Sequence, residues 1–293
     1  MMMPASRLAL GTAQFGMSYG IANRSGQIGR AEAARILAHA REYGMDTLDT
    51  AAVYGDSEQI LGEIGVTSWR IVSKVSALGA AAEIERGVEK CVRASLARLG
   101  VSSLHGMLVH RCGDLAGPRG TALFEALQRL KALGLIERVG VSVYGPEDLD
   151  RVARRFPLDL VQAPFNVFDR RLQSSGWLRE LKSAGVEIHT RSAFLQGLLL
   201  LASERRPARF AAWGELWNAW EQWVRSHGDD PASVCLGFVL GHPEIHRVVV
   251  GVDDDAQLAA IVRAAKSAPG EPPPLALSCS DVQLIDPSCW GSH

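Results

Sequence analysis

The chain has 293 residues, 47% hydrophobic and 22% charged, a balance that excludes a disordered or fibrous chain. With 31 basic and 32 acidic residues the formal net charge is -1, which argues against bulk attraction to nucleic acid or anionic lipid. Cys91, Cys112, Cys235, Cys279 and Cys289 are odd in number, widely spaced and form no CxxC pair, as reduced thiols of a cytoplasmic protein do.

The opening MMMPASRLALGTAQFG has too short an apolar run for a signal sequence, and GLLLLA (197–202) is too short to span a bilayer. From there, apolar runs alternate with amphipathic ones. LALGTA (8–13) reads as a strand, followed by a glycine-rich loop and a helix over 30–44. DTLDT (46–50) precedes a helix at 57–65, and RIVSK (70–74) precedes one at 81–99. GMLVH (106–110) precedes 122–134, RVGVSV (138–143) precedes 146–156, and LDLVQAP (158–164) precedes 175–185. VEIHTRS (186–192) is followed by a tryptophan-rich segment (209–226) and a helix at 232–241. RVVVGV (247–252) precedes 254–267.

Gly44, Gly65, Gly100, Gly134 and Gly185 stand where helix C-caps belong. The strands are nearly continuous apolar runs, as in a parallel sheet buried on both faces. Eight strand–helix units predict an α/β fold, a (β/α)8 TIM barrel, over residues 1–293. An open doubly wound sheet is disfavoured because no GxGxxG follows the first strand. A proline-rich departure begins a C-terminal tail at about 268–293, and Trp290 gives that tail a docking group.

Active-site groups of such barrels sit at the C-terminal ends of strands. Asp49 ends the second strand, Lys74 the third and His110 the fourth, and Tyr54 lies in the loop after Asp49. The expectation is that Asp49 holds Lys74 as an ion pair. The Lys74 ammonium would then pull the Tyr54 phenol below its ordinary value of about 10. Ser57 is a plausible N-cap for the helix behind the loop, with Glu58 in its first turn. Singly, His110, Lys74 and Tyr54 have ordinary structural readings; at successive strand ends they form an acid–base constellation.

HPEIH (242–246) has metal-pair spacing, but Pro243 interrupts the helix that would align the histidines. No metal site is expected. Trp213, Trp217, Trp220 and Trp223 share one helix face and read as core or interface packing. Phe15, Tyr19 and Trp290 are candidate substrate-pocket residues beside Tyr54 and His110.

LDTAAVYGDSEQILG (48–62) resembles the first signature of the aldo-keto reductase family. LGTAQFG, SKV (73–75), LVHR (108–111), GVSVY (140–144), VQAPFN (161–166) and VGVDDDAQL (250–258) follow in family order, so the resemblance runs from about residue 8 to 262. It implies NADP(H) or NAD(H) bound over the strand ends. It also implies hydride transfer between nicotinamide and an aldehyde or ketone, or the corresponding alcohol. By resemblance Tyr54 is the proton donor, Lys74 and Asp49 tune it, and His110 orients the substrate oxygen. Gly11, Thr12, Ala13 and Asp49 join the cofactor contacts. Ser142 and Gln162 would hold the carboxamide. Arg191, Ser192, Phe194 and Gly197 would line the nicotinamide and pyrophosphate, with Gly251, Asp253 and Gln257 at the adenosine.

The sequence departs from the family pattern in three places. Val143 replaces an asparagine that helps hold the carboxamide, and Arg191 replaces a tyrosine that stacks on nicotinamide. Arg191 would repel oxidised nicotinamide or bind an acidic substrate. Asp253, Asp254 and Asp255 stand where NADP-binding members carry Ser, Lys or Arg; there they favour NAD or simply start the last helix. The usual adenine-binding Glu and Asn are Ala260 and Ile261. The principal reading is an oxidoreductase acting on a small molecule without nucleic acid, membrane or metal. Two others stand beside it: a cofactor-sensing or interaction subunit, and a non-redox lyase or epimerase reusing Tyr54 and His110. The oligomeric state and the substrate stay open.

Overall fold

The computed structural model describes residues 4–23, 25–76, 83–227, 230–267 and 271–290. Eight parallel strands close into a barrel in chain order. They are β1 (Leu8–Gly11), β2 (Thr47–Asp49), β3 (Arg70–Val75), β4 (Leu104–Val109), β5 (Ile136–Ser142), β6 (Leu160–Pro164), β7 (Glu187–Arg191) and β8 (Arg247–Gly251). Closure is made by β1 against β8, with Gly11 opposite Gly251, while the other edge of β1 sets Gly11 opposite Asp49.

The helices follow the expected alternation. They are α1 (Ala13–Gly16), α2 (Arg30–Glu42), α3 (Ser57–Ile64), α4 (Ile84–Leu99), α5 (Cys112–Ala116), α6 (Gly120–Ala132), α7 (Pro146–Val152), α8 (Arg171–Ser174), α9 (Trp177–Ser183), α10 (Gly214–His227), α11 (Pro231–Leu240), α12 (Asp255–Lys266) and α13 (Val282–Ile285). Most boundaries shift by one to four residues from expectation, as in α7, which ends at Val152. The first strand stops at Gly11, because Thr12 turns its backbone N–H onto the Asp49 carbonyl and α1 begins at Ala13. The helix expected over 81–99 is seen from Ile84, and its first residues fall outside the described ones.

Ser57 is not the N-cap of α3. Asp56 occupies that position without a side-chain bond, and the buried Ser57 hydroxyl donates to the Thr12 carbonyl and Oγ1 at 2.8 and 2.9 Å. Glu58 is likewise no surface dipole partner. It is buried, accepts from Ser73 Oγ at 2.6 Å and pairs with Arg98 at 2.6 Å. The α3 N-terminus is therefore fixed by barrel contacts rather than by capping.

Strand alternation along β3 displays the layers of the barrel. Arg70 joins a charged plug in which Glu187 is paired with Arg138 at 2.7 Å and hydrogen-bonded to His105 and His189. Two residues on, Val72 packs with Leu108 and Leu160 in a separate apolar cluster. Two further, Lys74 reaches Asp49. The tryptophan stripe is packing: Trp217 and Trp220 are buried against Phe168, with Trp217 Nε1 donating to the Phe210 carbonyl. The tail is latched by Arg170, whose guanidinium donates to the carbonyls of Pro273 and Pro274, and by Trp213 Nε1 donating to Asp281. Among the described residues, no helix is long and apolar enough to cross a membrane.

Burial, reinforced by Lys74, lowers His110 from 6.5 to about 4, and burial with Lys182 lowers His246 from 6.5 to about 4. Burial alone would raise Glu187, but hydrogen bonds from His105 and His189 hold its carboxylate well below its ordinary range. Between pH 6.5 and pH 4 the unfolded chain therefore binds protons that the folded chain refuses, so stability falls as pH falls. Below that window the depressed Glu187 extends the loss in the same direction. Urea-unfolding midpoints should decline steadily across this interval; a flat profile would contradict the assignment.

Candidate active site

Asp49, at the end of β2, is bonded on both oxygens. Lys74 Nζ donates to Oδ1 at 2.7 Å, and Gln162 Nε2 donates to Oδ2 at 2.6 Å. Lys74 also donates to the Thr50 carbonyl at 2.9 Å. The pair is nearly sealed from water, with side-chain exposures of 1% for Lys74 and 7% for Asp49. The ammonium lies over the Tyr54 ring, 5.2 Å from its centroid. His110 meets the same ring edge-on at 6.0 Å, and Ser76 Oγ fixes His110 Nδ1 at 3.0 Å.

The expected downward pull on Tyr54 is not what this arrangement produces. Burial raises the phenol above its ordinary value, and the Asp49 carboxylate raises it further; Arg191 opposes them. Lys74 faces the ring rather than bonding to the phenol, and its charge is already met by Asp49. Tyr54 thus keeps its proton at neutral pH while His110 is an uncharged imidazole. In the tautomer in which Ser76 donates to Nδ1, the ring proton sits on Nε2, free to donate.

The loop bearing Tyr54 is gripped backbone to backbone. A Cβ placed on Gly16 would come 1.7 Å from the Tyr54 carbonyl oxygen and 2.5 Å from the Ser57 nitrogen. Gly55, at φ +51, would set a Cβ 2.1 Å from the Gly16 oxygen. No side chain fits between these segments, so α1 and the loop after β2 form one body.

The other expected residues fall into several groups. Ser142 and Gln162 are opposite one another in the β5–β6 register and buried, and Gln162 Oε1 is left as an acceptor. Thr12 Oγ1 donates to the Asp49 carbonyl, so Gly11, Thr12 and Ala13 shape the rim through backbone. Arg191 donates to the Val143 carbonyl at 3.0 Å and stacks on Tyr144 at 4.5 Å. Ser192 follows in a left-handed conformation, its carbonyl accepting from Asn166. Phe194 is buried, and a Cβ on Gly197 would come 2.6 Å from Ala22 Cβ in the loop after β1.

At the far end, Asp253 accepts from Asn23 at 2.9 Å, and its N–H donates to Gln257 Oε1 at 2.9 Å. Asp254 is the true N-cap of α12, accepting from the Gln257 N–H, and Asp255 meets His39 at 2.6 Å. Two of the three aspartates are thus explained by the helix start and its packing on α2. Among the expected pocket residues, Tyr19 belongs to the Tyr54 neighbourhood: Tyr54 and Arg191 both act on its phenol, which is raised chiefly by burial. Phe15 is fully enclosed in the core and offers no surface to a ligand. Trp290 is also buried, edge-on to Phe210 at 5.0 Å, with its carbonyl accepting from Arg209. His242 bonds the Phe238 carbonyl and His246 accepts from the Ile188 N–H, so HPEIH serves the backbone.

Sequence reasoning passed over Ser76, Tyr144, Asn23 and the Gly16–Gly55 contact. Tyr144 stood in the quoted GVSVY and Ser76 follows SKV, so position at a strand end was a usable signal. The glycine contact had none, since it depends on a neighbouring loop.

The profile of the Aldo/keto reductase family matches residues 7–269. The chain belongs to the aldo/keto reductase family. Aldo-keto reductase YhdN of Bacillus subtilis is 31% identical over 185 residues, 58% of this chain and 53% of that relative, so the match spans about half its length. A Pseudomonas aeruginosa protein described as an aldo-keto reductase by assignment, PA4992, is 25% identical with a TM-score of 0.66, covering 89% of each chain. Aldo-keto reductase AKR11C1 of Bacillus halodurans, in its holo form, shares the fold at a TM-score of 0.74 and 21% identity, over 90% of this chain and 88% of that one.

Aldo/keto reductases generally use NAD(P)H, and the donor set here fits one along the rim. Gln162 Oε1 and Ser142 suit a carboxamide. Ser192, Leu195 and Gln196 hold left-handed φ values of 61, 48 and 53°, a conformation costing roughly 1–3 kcal/mol each and commonest at ligand-binding turns. Of the three acids in the loop after β8, Asp253 is held by Asn23 while Asp254 and Asp255 serve the start of α12 and its contact with His39.

Gly16→Ala should push the Tyr54 loop outward. We expect a stability loss of about 1–3 kcal/mol and a turnover loss of roughly 10²-fold, measured by thermal unfolding and steady-state rates. Wild-type rates in this variant would remove the clamp from the account.

Proposed function

We propose that this aldo/keto reductase reduces an aldehyde or ketone to its alcohol, or runs the reverse reaction, at Tyr54. The observation carrying the reading is the sealed Lys74–Asp49 pair lying under the Tyr54 ring, with His110 edge-on to that ring. A nicotinamide held along the rim would supply the hydride for the carbonyl carbon. The chain's own residues manage the oxygen.

In reduction the Tyr54 hydroxyl donates its proton to the carbonyl oxygen as negative charge builds there. A phenol held above its ordinary value is reliably protonated for this role. His110, uncharged, donates a hydrogen bond from Nε2 and aligns that oxygen. After transfer the phenolate is favoured by the Arg191 guanidinium, while the Lys74–Asp49 pair holds the ring in place from below. One hydride and one proton account for the alcohol. In oxidation the same groups act in reverse, with tyrosinate taking the proton.

Tyr54→Phe removes the donor while leaving the ring over Lys74. Turnover of a reactive aldehyde should fall about 10²–10⁴-fold, with reduced-cofactor binding by calorimetry preserved. Undiminished turnover would reassign the proton donor.

The acids at 253–255 should favour NADH over NADPH, since among the described residues Asp253 forms no ion pair and is already bonded to Asn23. Separate calorimetric titrations should give the tighter binding to NADH. Tighter NADPH binding would require the loop from Gly251 to Gln257 to rearrange.

A further inference from the structure

Arg191 is the last residue of β7 and stands half-buried on the rim that carries Tyr54 and His110. Its guanidinium has five N–H donors. It makes one bond to the Val143 carbonyl at 3.0 Å and a long one to Ser192 Oγ at 3.4 Å. Arg7 and Arg170, which are held without an acidic partner, each spend three bonds on backbone carbonyls. Arg191 has no such enclosure.

Nor does an acid of the rim meet it. Asp49 is taken by Lys74 and Gln162, Asp148 by the Tyr144 N–H, and Asp169 by Arg171. Among the described residues Arg191 belongs to no ion pair. Lys74 and Asp49 cancel, so Arg191 adds an unpaired positive charge to the mouth of the site, with Arg111 behind His110 as a second. The Arg191 charge is close enough to act on Tyr54, Tyr19 and His110 alike.

The guanidinium is also aimed. It lies on the Tyr144 ring at 4.5 Å, and Tyr144 is pinned from both sides, by Asp148 on its N–H and Arg171 on its carbonyl. A stacked arginine with a fixed plane presents its free donors as a fork, the geometry that matches a carboxylate. Tyr19 and Tyr144, 42% and 37% exposed, flank the approach with phenol rings.

We infer that Arg191 is a substrate-recognition residue and that the preferred substrates are carbonyl compounds bearing a carboxylate. This rests on the carbonyl-reducing reading above. Arg191 grips the carboxylate while Tyr54 and His110 hold the carbonyl oxygen, and Tyr144 keeps the fork in plane.

The test compares each formyl acid with its own uncharged methyl ester at three spacings: glyoxylate, 4-oxobutanoate and 4-carboxybenzaldehyde. For at least one pair the acid should be preferred in kcat/KM by about tenfold or more, the worth of a charge-assisted pair. Arg191→Met should collapse that ratio to one or below, and Arg191→Lys should restore part of it by keeping charge without the fork. Any effect of Arg191 on the cofactor cancels, because both members of a pair use the same enzyme and cofactor. Equal kcat/KM for acid and ester at all three spacings overturns this inference and leaves carbonyl reduction standing. A ratio that survives Arg191→Met overturns the role of Arg191. No turnover of acids or esters by folded, cofactor-binding protein overturns the carbonyl-reducing reading and this inference with it.

Discussion

The ion pair between Lys74 and Asp49 is the constraint on which the site depends. Two charges taken out of water are tolerable only when each satisfies the other and the surplus donors find partners. Here Lys74 spends a second donor on the Thr50 carbonyl, and Asp49 spends its second oxygen on Gln162. Removing either partner would strand a buried charge, at a cost of about 3–5 kcal/mol. The pair also ties β2 to β3 and, through Gln162, reaches across the barrel to β6. The geometry of the chemistry and the closure of the barrel mouth are thereby the same set of bonds.

Around this fixed pair the two working groups are held uncharged. Burial pushes Tyr54 up and His110 down, so each rests in the protonation state from which it can donate a hydrogen to oxygen. Positive charge at the mouth then comes from elsewhere, from Arg191 with Arg111 beside His110. Arg191 bears on both tasks, since it lowers the Tyr54 phenol as well as adding charge to the mouth.

Much of this was legible in the chain. Eight apolar runs gave eight strands, because parallel strands buried on both faces leave a continuous hydrophobic trace. Asp49, Lys74 and His110 were found by their positions at strand ends. What was misread follows from the same source. Ser57 and Glu58 look like a helix start, yet their side chains turn inward to Thr12 and to Ser73 and Arg98, contacts from other strands and helices. The shift of Tyr54 was predicted from its nearest cation, whereas burial and Asp49 outweigh a charge already neutralised. Phe15 was placed by its position just after the first strand and Trp290 by the docking of the tail, but both side chains turn into the packed interior. The aspartates at 253–255 carried two readings. Asp254 and Asp255 follow the helix-start one, and only the Asn23 contact sets Asp253 apart.

The contact of Gly16 with Gly55 makes the first two strand-end loops a single module. Neither glycine carries a side chain to offer a ligand, yet the position of Tyr54 is inherited from their fit. Transplanting the signature segment 48–62 into another barrel would carry over Tyr54 and Asp49 but not their alignment, unless residues 12–16 travelled with it. The smallest portable unit of this site is therefore two loops, drawn from strands that are neighbours in space and separated by a whole helix in sequence.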